Sequence, residues 1–253
     1  MFNIDYSILY HAPSYVSIDR ITLAILFFNK DTKESRLIST RNWKRVSLFN
    51  DDLDIELIKL QLEGIEEEID DIAKSPDFTL KKYTKFYVNE LKFTDVISTS
   101  VENFNEFIKE CSRQYMPQDY DKGKRPSTKE QLNFIKLYLN SSNIDCNSSK
   151  IRGYFNENVS FDFIIGDYAF KLFRFEGREE ARLISTAKDW AYNAIKLRDK
   201  YKIIFITDKD FAEPENYRIL YNILDEESNE IIGFNQAIEF IQSIKNKEYV
   251  QVN

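Results

Sequence analysis

The chain has 253 residues, enough for one large domain or two ordinary ones, and its 43% hydrophobic and 30% charged content allows a sizeable core and excludes global disorder. Only 6 glycines, none before Gly64, and 5 prolines argue against collagen-like, linker-like and solenoid chains. With 35 basic against 42 acidic residues the net charge is −7, which disfavours coating nucleic acid with the whole surface and leaves room for a local basic face.

Residues 6–11 and 21–28 are two β-rich runs separated by a turn-forming stretch around Pro13. The second is almost continuously apolar, which predicts a central strand buried on both faces. Residues 37–40 predict a third strand. Asn42 suits the N-cap of a short helix over Trp43–Phe49. Asp51 or Asp52 then opens a long helix with Leu53, Leu57, Leu60, Ile65, Ile69 and Ile72 as its apolar stripe. Glu66, Glu67, Glu68, Asp70 and Asp71 fall on its exposed turns. Such a run is a solvated face in the plain reading, and a patch for a basic partner, or partial mimicry of nucleic-acid charge, in the functional one. Residues 86–88 and 93–97 predict short strands, and residues 101–115 an amphipathic helix built on Phe104, Phe107, Ile108 and Cys111.

Two prolines, a glycine and several charges between Met116 and Ser127 break both periodicities. The expected organisation is therefore an α+β domain over residues 1–115, a linker over 116–127 and a second mixed domain over 128–253. Lys122, Lys124 and Arg125 make a small basic cluster that reads as solvated linker. Ser127 with Glu130 forms a capping box for the next helix. Strands are predicted over 151–155, 161–165 and 169–175, the last two joined by a tight Gly166–Asp167 turn. A helix over 179–199, a buried strand over 202–207, a helix near 215–224, a strand over 230–233 and a helix over 236–244 complete an α-β-β-β-α-β order followed by α-β-α. On the helix over 179–199, Trp190, Tyr192 and Ile195 read as core rather than as a base-stacking platform.

The scarce residues narrow the chemistry. His11 is the single histidine, so a Ser-His-Asp or Cys-His centre would have to use it; its place at a strand end before Pro13 reads more simply as packing. Multi-histidine zinc and iron sites are excluded by count. Cys111 and Cys146 lack CxxC spacing and read as reduced thiols. The first residues carry no basic or apolar targeting pattern, and residues 21–28, the longest apolar stretch, fall far short of the ~20 a membrane helix needs. The expectation is a cytoplasmic protein without membrane contact.

Two resemblances add to this. Residues 6–10 followed by Pro13, the strand over 21–28, and Arg41, Asn42, Trp43, Lys44, Arg45 and Val46 leading into Leu48 and Phe49 resemble the DUF3037 family, which has no assigned activity. Where that family carries an Asn-x-Gly step, this chain has Thr22-Leu23-Ala24. The resemblance covers about the first hundred residues and implies a compact α+β domain. The element order of the second half resembles the PD-(D/E)xK nuclease core. That likeness implies Asp162 as the first acid and Lys171 as the lysine, with Ala169 standing where the second acid belongs and Asp167 or Glu176 as substitutes. In that chemistry the carboxylates hold Mg²⁺, which activates water against a phosphodiester. In the plain reading, Asp162, Lys171 and Arg174 are the polar side of half-buried strands.

The leading expectation is a non-catalytic protein working through a protein partner without cofactor, with Glu66, Glu67, Glu68, Asp70 and Asp71 as interaction candidates. Its Asn-, Ile- and Lys-rich composition suits an AT-rich bacterial or phage genome, and phage–host conflict is a setting compatible with it. The alternative is a Mg²⁺-dependent nuclease using Asp162, Asp167, Lys171 and Glu176. A nucleic-acid binder using Lys122, Lys124, Arg125 and the C-terminal lysines is the third reading, disfavoured by net charge.

Overall fold

A computed structural model describes residues 1–13, 20–142, 144–146, 150–175, 179–207 and 215–251. The fold is α+β, and the chain divides into two compact units, Met1–Pro126 and Ser127–Asn253.

The first unit is built on β1 (Phe2–His11), β2 (Ile21–Asn29) and β3 (Ser35–Ser39), paired antiparallel with β2 in the middle. All nine residues of β2 are buried, as its unbroken apolar run requires. One face packs against helices: Leu26 and Phe28 share a core with Val46 of α1 (Trp43–Phe49) and with Ile58, Leu62, Ile65 and Ile69 of α2 (Ile55–Ile72). On the other face Phe27 meets Phe104 and Phe107 of a later helix, Phe104–Tyr115, at 6.5 and 6.1 Å.

Several sequence expectations shift here. Asn42 caps α1 by accepting from the Arg45 amide, but α2 opens at Asp54, whose carboxylate accepts from the Glu56 and Leu57 amides, and not at Asp51 or Asp52. Its buried stripe is therefore Ile58, Leu62, Ile65 and Ile69, and Leu57 and Leu60 are exposed. A short α3 (Leu80–Thr84) precedes residues 86–88, which form a turn with one Val88–Lys92 bridge instead of a strand. The strand expected over 93–97 is two strands, β4 (Leu91–Phe93) and β5 (Ile97–Val101), both on the free edge of β1. Between them the Thr94 hydroxyl accepts the Ile8 amide and so interrupts the ladder with a side chain. The helix Phe104–Tyr115 is α4. The segment expected as a linker makes two 3-10 turns and is tied to the first unit: Asp119 accepts from the Thr40 hydroxyl at 2.7 Å and the Arg41 amide at 2.8 Å.

The second unit opens with α5 (Thr128–Ser141) and the Ser127–Glu130 capping box. Four strands follow where three were expected. β6 (Lys150–Arg152) and β7 (Asn158–Ser160) form a separate ribbon, and β8 (Phe163–Ile165) and β9 (Tyr168–Phe173) a hairpin closed by Gly166–Asp167 with φ 54° at Gly166. After α6 (Glu180–Leu197), β10 (Lys202–Thr207) lies parallel to β9; after α7 (Glu215–Asp225), β11 (Glu230–Gly233) lies parallel to β10. α8 (Ala237–Gln251) ends the unit. Ala169, Phe173, Ile203 and Phe205 pack under α6 and α7, while Phe170 meets Phe163 and Phe240 of α8.

Candidate functional site

The structure brings Asp162 and Lys171 together and separates Asp167 from them. Lys171 Nζ lies 3.2 Å from Asp162 Oδ2 and 4.9 Å from the centroid of the Trp190 ring. The same Asp162 oxygen accepts the Leu172 amide at 2.7 Å, taking a ladder position that β8 leaves vacant by starting at Phe163. This carboxylate thus ends a strand. Asp167 sits in the hairpin turn, at the opposite end of β8 from Asp162, and pairs with Lys202 at 3.0 Å. Ala169 is fully buried beneath α6, so the position where a second acid belongs is core. Glu176 lies outside the described residues. The nuclease resemblance calls for two carboxylates beside the lysine, and among the described residues Asp162 is the one that stands there. Among the described residues no group of three or more His, Cys, Asp or Glu converges.

The other scarce residues are structural in their surroundings. Asn50 Nδ2 donates to His11 Nε2 at 3.2 Å, and the buried Nδ1 has no hydrogen-bond partner among the described residues; burial lowers the imidazole pKa. Burial pushes the Cys111 thiol pKa up and keeps it protonated. Lys124 of the expected basic cluster pairs with Asp121 at 3.1 Å, and Arg125 Nε donates to the Tyr120 carbonyl.

A second location has the form of a binding site. A groove of about 880 Å³ runs beside α2 and opens beside a hollow of about 670 Å³; both are walled by Glu68, Phe86 and Tyr87. Leu57, Gln61, Gly64 and Glu68 recur at helical spacing and line one wall of the larger groove, just off the buried stripe. Residues 86–91 line the other. That turn is anchored by Tyr87, whose ring contacts Phe93 at 5.0 Å and Tyr83 at 5.6 Å. On either side of the anchor Phe86 is 82% exposed and Val88 62%, and Leu57 across the groove is 51% exposed.

Asp52, Asp54, Glu68 and Glu90 line this groove, and no lysine or arginine does. The Tyr83 hydroxyl donates to Glu68 Oε2 at 2.9 Å and lies 2.9 Å from the Tyr87 hydroxyl. A phenol has one proton to give, so Tyr87 donates to Tyr83 and Tyr83 to Glu68. Burial raises both phenol pKa values, which holds this relay protonated and the carboxylate in place.

Of the acids singled out in the sequence, Glu68 alone lines the groove. Asp70 accepts from the Ser35 hydroxyl at 2.6 Å, and Glu66, Glu67 and Asp71 are exposed elsewhere on α2. The sequence reading gave no site role to Leu57, Gly64, Phe86, Val88 or Glu90, and took Leu57 for core and residues 86–88 for a strand. The available signal was Leu57, an apolar residue off the 58–62–65–69 line. No family model, no curated protein and no solved structure matches this chain.

Proposed function

We propose that the protein acts by binding a protein partner, and that the groove between α2 and residues 86–91 receives a basic amphipathic segment of it. Apolar side chains of that segment sit against Leu57, Phe86 and Val88, and its lysines or arginines lie beside Asp52, Asp54, Glu68 and Glu90. One observation carries the reading: three large apolar side chains, each more than half exposed, line the larger groove, whose charged lining among the described residues is entirely acidic. A solvated helix face accounts for the acids but not for Phe86 and Val88 standing in water on an anchored turn. The composition and the DUF3037 resemblance are compatible with a bacterial or phage cytoplasm as the setting. No helix of the described residues is long and apolar enough to cross a membrane. The Mg²⁺-dependent nuclease alternative requires Glu176 to supply the carboxylate that Ala169 lacks.

Fluorescence anisotropy with a labelled leucine- and lysine-containing helical peptide tests the proposal, with a leucine- and glutamate-containing peptide as the counter-probe. Binding of the basic peptide alone is expected. Phe86→Ser and Glu68→Lys should each weaken it about tenfold, the effect of losing one central anchor. Glu67→Lys, on the same helix but off the groove, should leave it nearly unchanged. Equal weakening by Glu67→Lys and Glu68→Lys would reduce the site to general acidity and overturn the groove.

A further inference from the structure

The ribbon of the second unit ends in two aromatic residues that its fold does not bury. Tyr154 is 65% and Phe155 71% exposed, and Tyr192 of α6 is 39% exposed. Tyr192 thus lies at the surface and not in the core, whereas Trp190 packs edge-on against Phe161 and Phe173 as its apolar neighbours predict. Phe155 and Tyr192 are parallel to within 6° at a centroid distance of 6.4 Å, and Tyr154 stands edge-on to Phe155 at 5.1 Å.

The turn that carries the rings is well defined. Asn156 N–H donates to the Gly153 carbonyl, Gly153 N–H donates to the Glu157 carbonyl, and Asn156 takes the left-handed conformation at φ 64°. This is a type I turn closed by a left-handed residue, a common four- to five-residue hairpin end. The Glu157 carboxylate accepts the Phe155 amide at 2.7 Å and lies against Gly153, where a Cβ would collide with it. That acid is used to hold the turn.

One cation lies over the rings, and two more stand along the ribbon that carries them. Lys196 Nζ lies 4.5 Å from the centroid of Tyr154 and 5.7 Å from that of Tyr192. Lys150 and Arg152 alternate with Ile151, which packs towards the core, and face solvent opposite the neutral Ser160 and Asn158. Among the described residues none forms an ion pair with Lys150, Arg152 or Lys196. Asp189 on α6 and Asp199 just past its end are each adjacent in sequence to a lysine, Lys188 and Lys200.

We propose that this surface binds single-stranded nucleic acid, with bases stacking on Tyr154, Phe155 and Tyr192 and phosphates running past Lys196, Arg152 and Lys150. A planar face beside an unpaired cation is what a nucleotide offers complementarity to, and stacking is indifferent to base identity. Packing of the tip on α6 leaves roughly two thirds of the Tyr154 and Phe155 surface unexplained. The net charge of −7 does not oppose a patch of this size, because the ring faces supply much of the affinity and the cations are local. This site is independent of the α2 groove.

Anisotropy with labelled oligothymidylate and oligouridylate strands, on the full chain at about 50 and 200 mM salt, decides it. Both strands should bind. Tyr154→Ala and Phe155→Ala should each weaken binding about tenfold with unchanged melting curves, since both side chains are exposed. Lys196→Ala should also weaken it and flatten the salt dependence. Leu137→Ala, an equally exposed apolar residue on α5, serves as a control expected to have no effect. Failure of both strands to bind at the lower salt, or binding untouched by loss of the rings, would overturn the proposal. So would displacement of the strand by a mononucleotide at equal concentration, or capture of a proline-rich peptide in its place.

Discussion

Burial of His11 beside Phe49, with its Nδ1 unpartnered, disfavours the imidazolium in the folded chain. The unfolded chain protonates near pH 6.5, and the folded chain only at lower pH. Below about pH 6.5 the unfolded state therefore binds the extra proton, and stability falls as the pH drops towards the folded value. Above that window both states are neutral and the residue has no pH effect. Since it is the only histidine, thermal melts between pH 7.5 and about 5.5 should show a decline in Tm that His11→Gln removes. A decline of the same size in the variant would place its origin in other groups. Single residues were also where the sequence was hardest to read. The nuclease resemblance singled out Asp162 and Lys171, but the use of that carboxylate to hold the Leu172 amide was not legible, because it depends on where β8 begins. Tyr192 was misjudged for a similar reason: helical periodicity places it near the core edge, and only the ribbon tip reveals that it meets Phe155 at the surface.

Element by element, β2 was the most legible part of the chain. Its unbroken apolar run allows no solvated face, and the central position follows. For α2 the sequence predicts a helix correctly but misplaces its face, because several acids near residue 52 compete for the cap and a shift of the start rotates the stripe. Leu57, expected in the apolar stripe, lines the groove instead, beside Gly64. Gly64 has no positive φ, and a Cβ built there meets nothing within 4 Å, so the free protein gives it no steric reason to be glycine. Gly64→Ala should raise stability by about 0.5–1 kcal/mol in denaturant unfolding, the helix-propensity difference. A loss of stability instead would mean that the groove wall is packed more tightly than its geometry indicates. Residues 86–88 were read as a strand because Phe86, Tyr87 and Val88 have high β propensity. Their actual arrangement is set by Tyr87 packing against Tyr83 and Phe93, a tertiary effect that local sequence does not encode.

At the scale of the whole molecule, two separate cores divide the chain: one gathers β2, α1 and α2, the other β9, β10, α6 and α7. Each unit therefore has what it needs to fold alone. Composition marked residues 116–127 as a linker, but nothing in the residues around Asp119 signals that its carboxylate reaches back to Thr40 and Arg41. Lys122 and Lys124 lie beyond that anchor and are exposed. Limited trypsin digestion should cut within this segment and release two fragments that each melt cooperatively. Asp119→Ala should hasten that cut by releasing the segment from the first unit. A first cut inside β2 or β10 would contradict the division.

The pairing of β1 also has a consequence for synthesis on the ribosome. β2 emerges soon after β1 and covers one of its edges, but the other edge waits for β4 and β5, and the Asn3–Ser100 contact joins residues 97 apart. At roughly 5–20 residues per second, the nascent chain exposes that edge for about 5–20 s. During this interval it presents an unfinished sheet able to pair with another nascent copy. Translation pauses that hold β4 and β5 back after β1 and β2 have left the ribosome would prolong the hazard. Codon choice along the first hundred residues thereby becomes part of how this sheet is kept from joining its neighbour's.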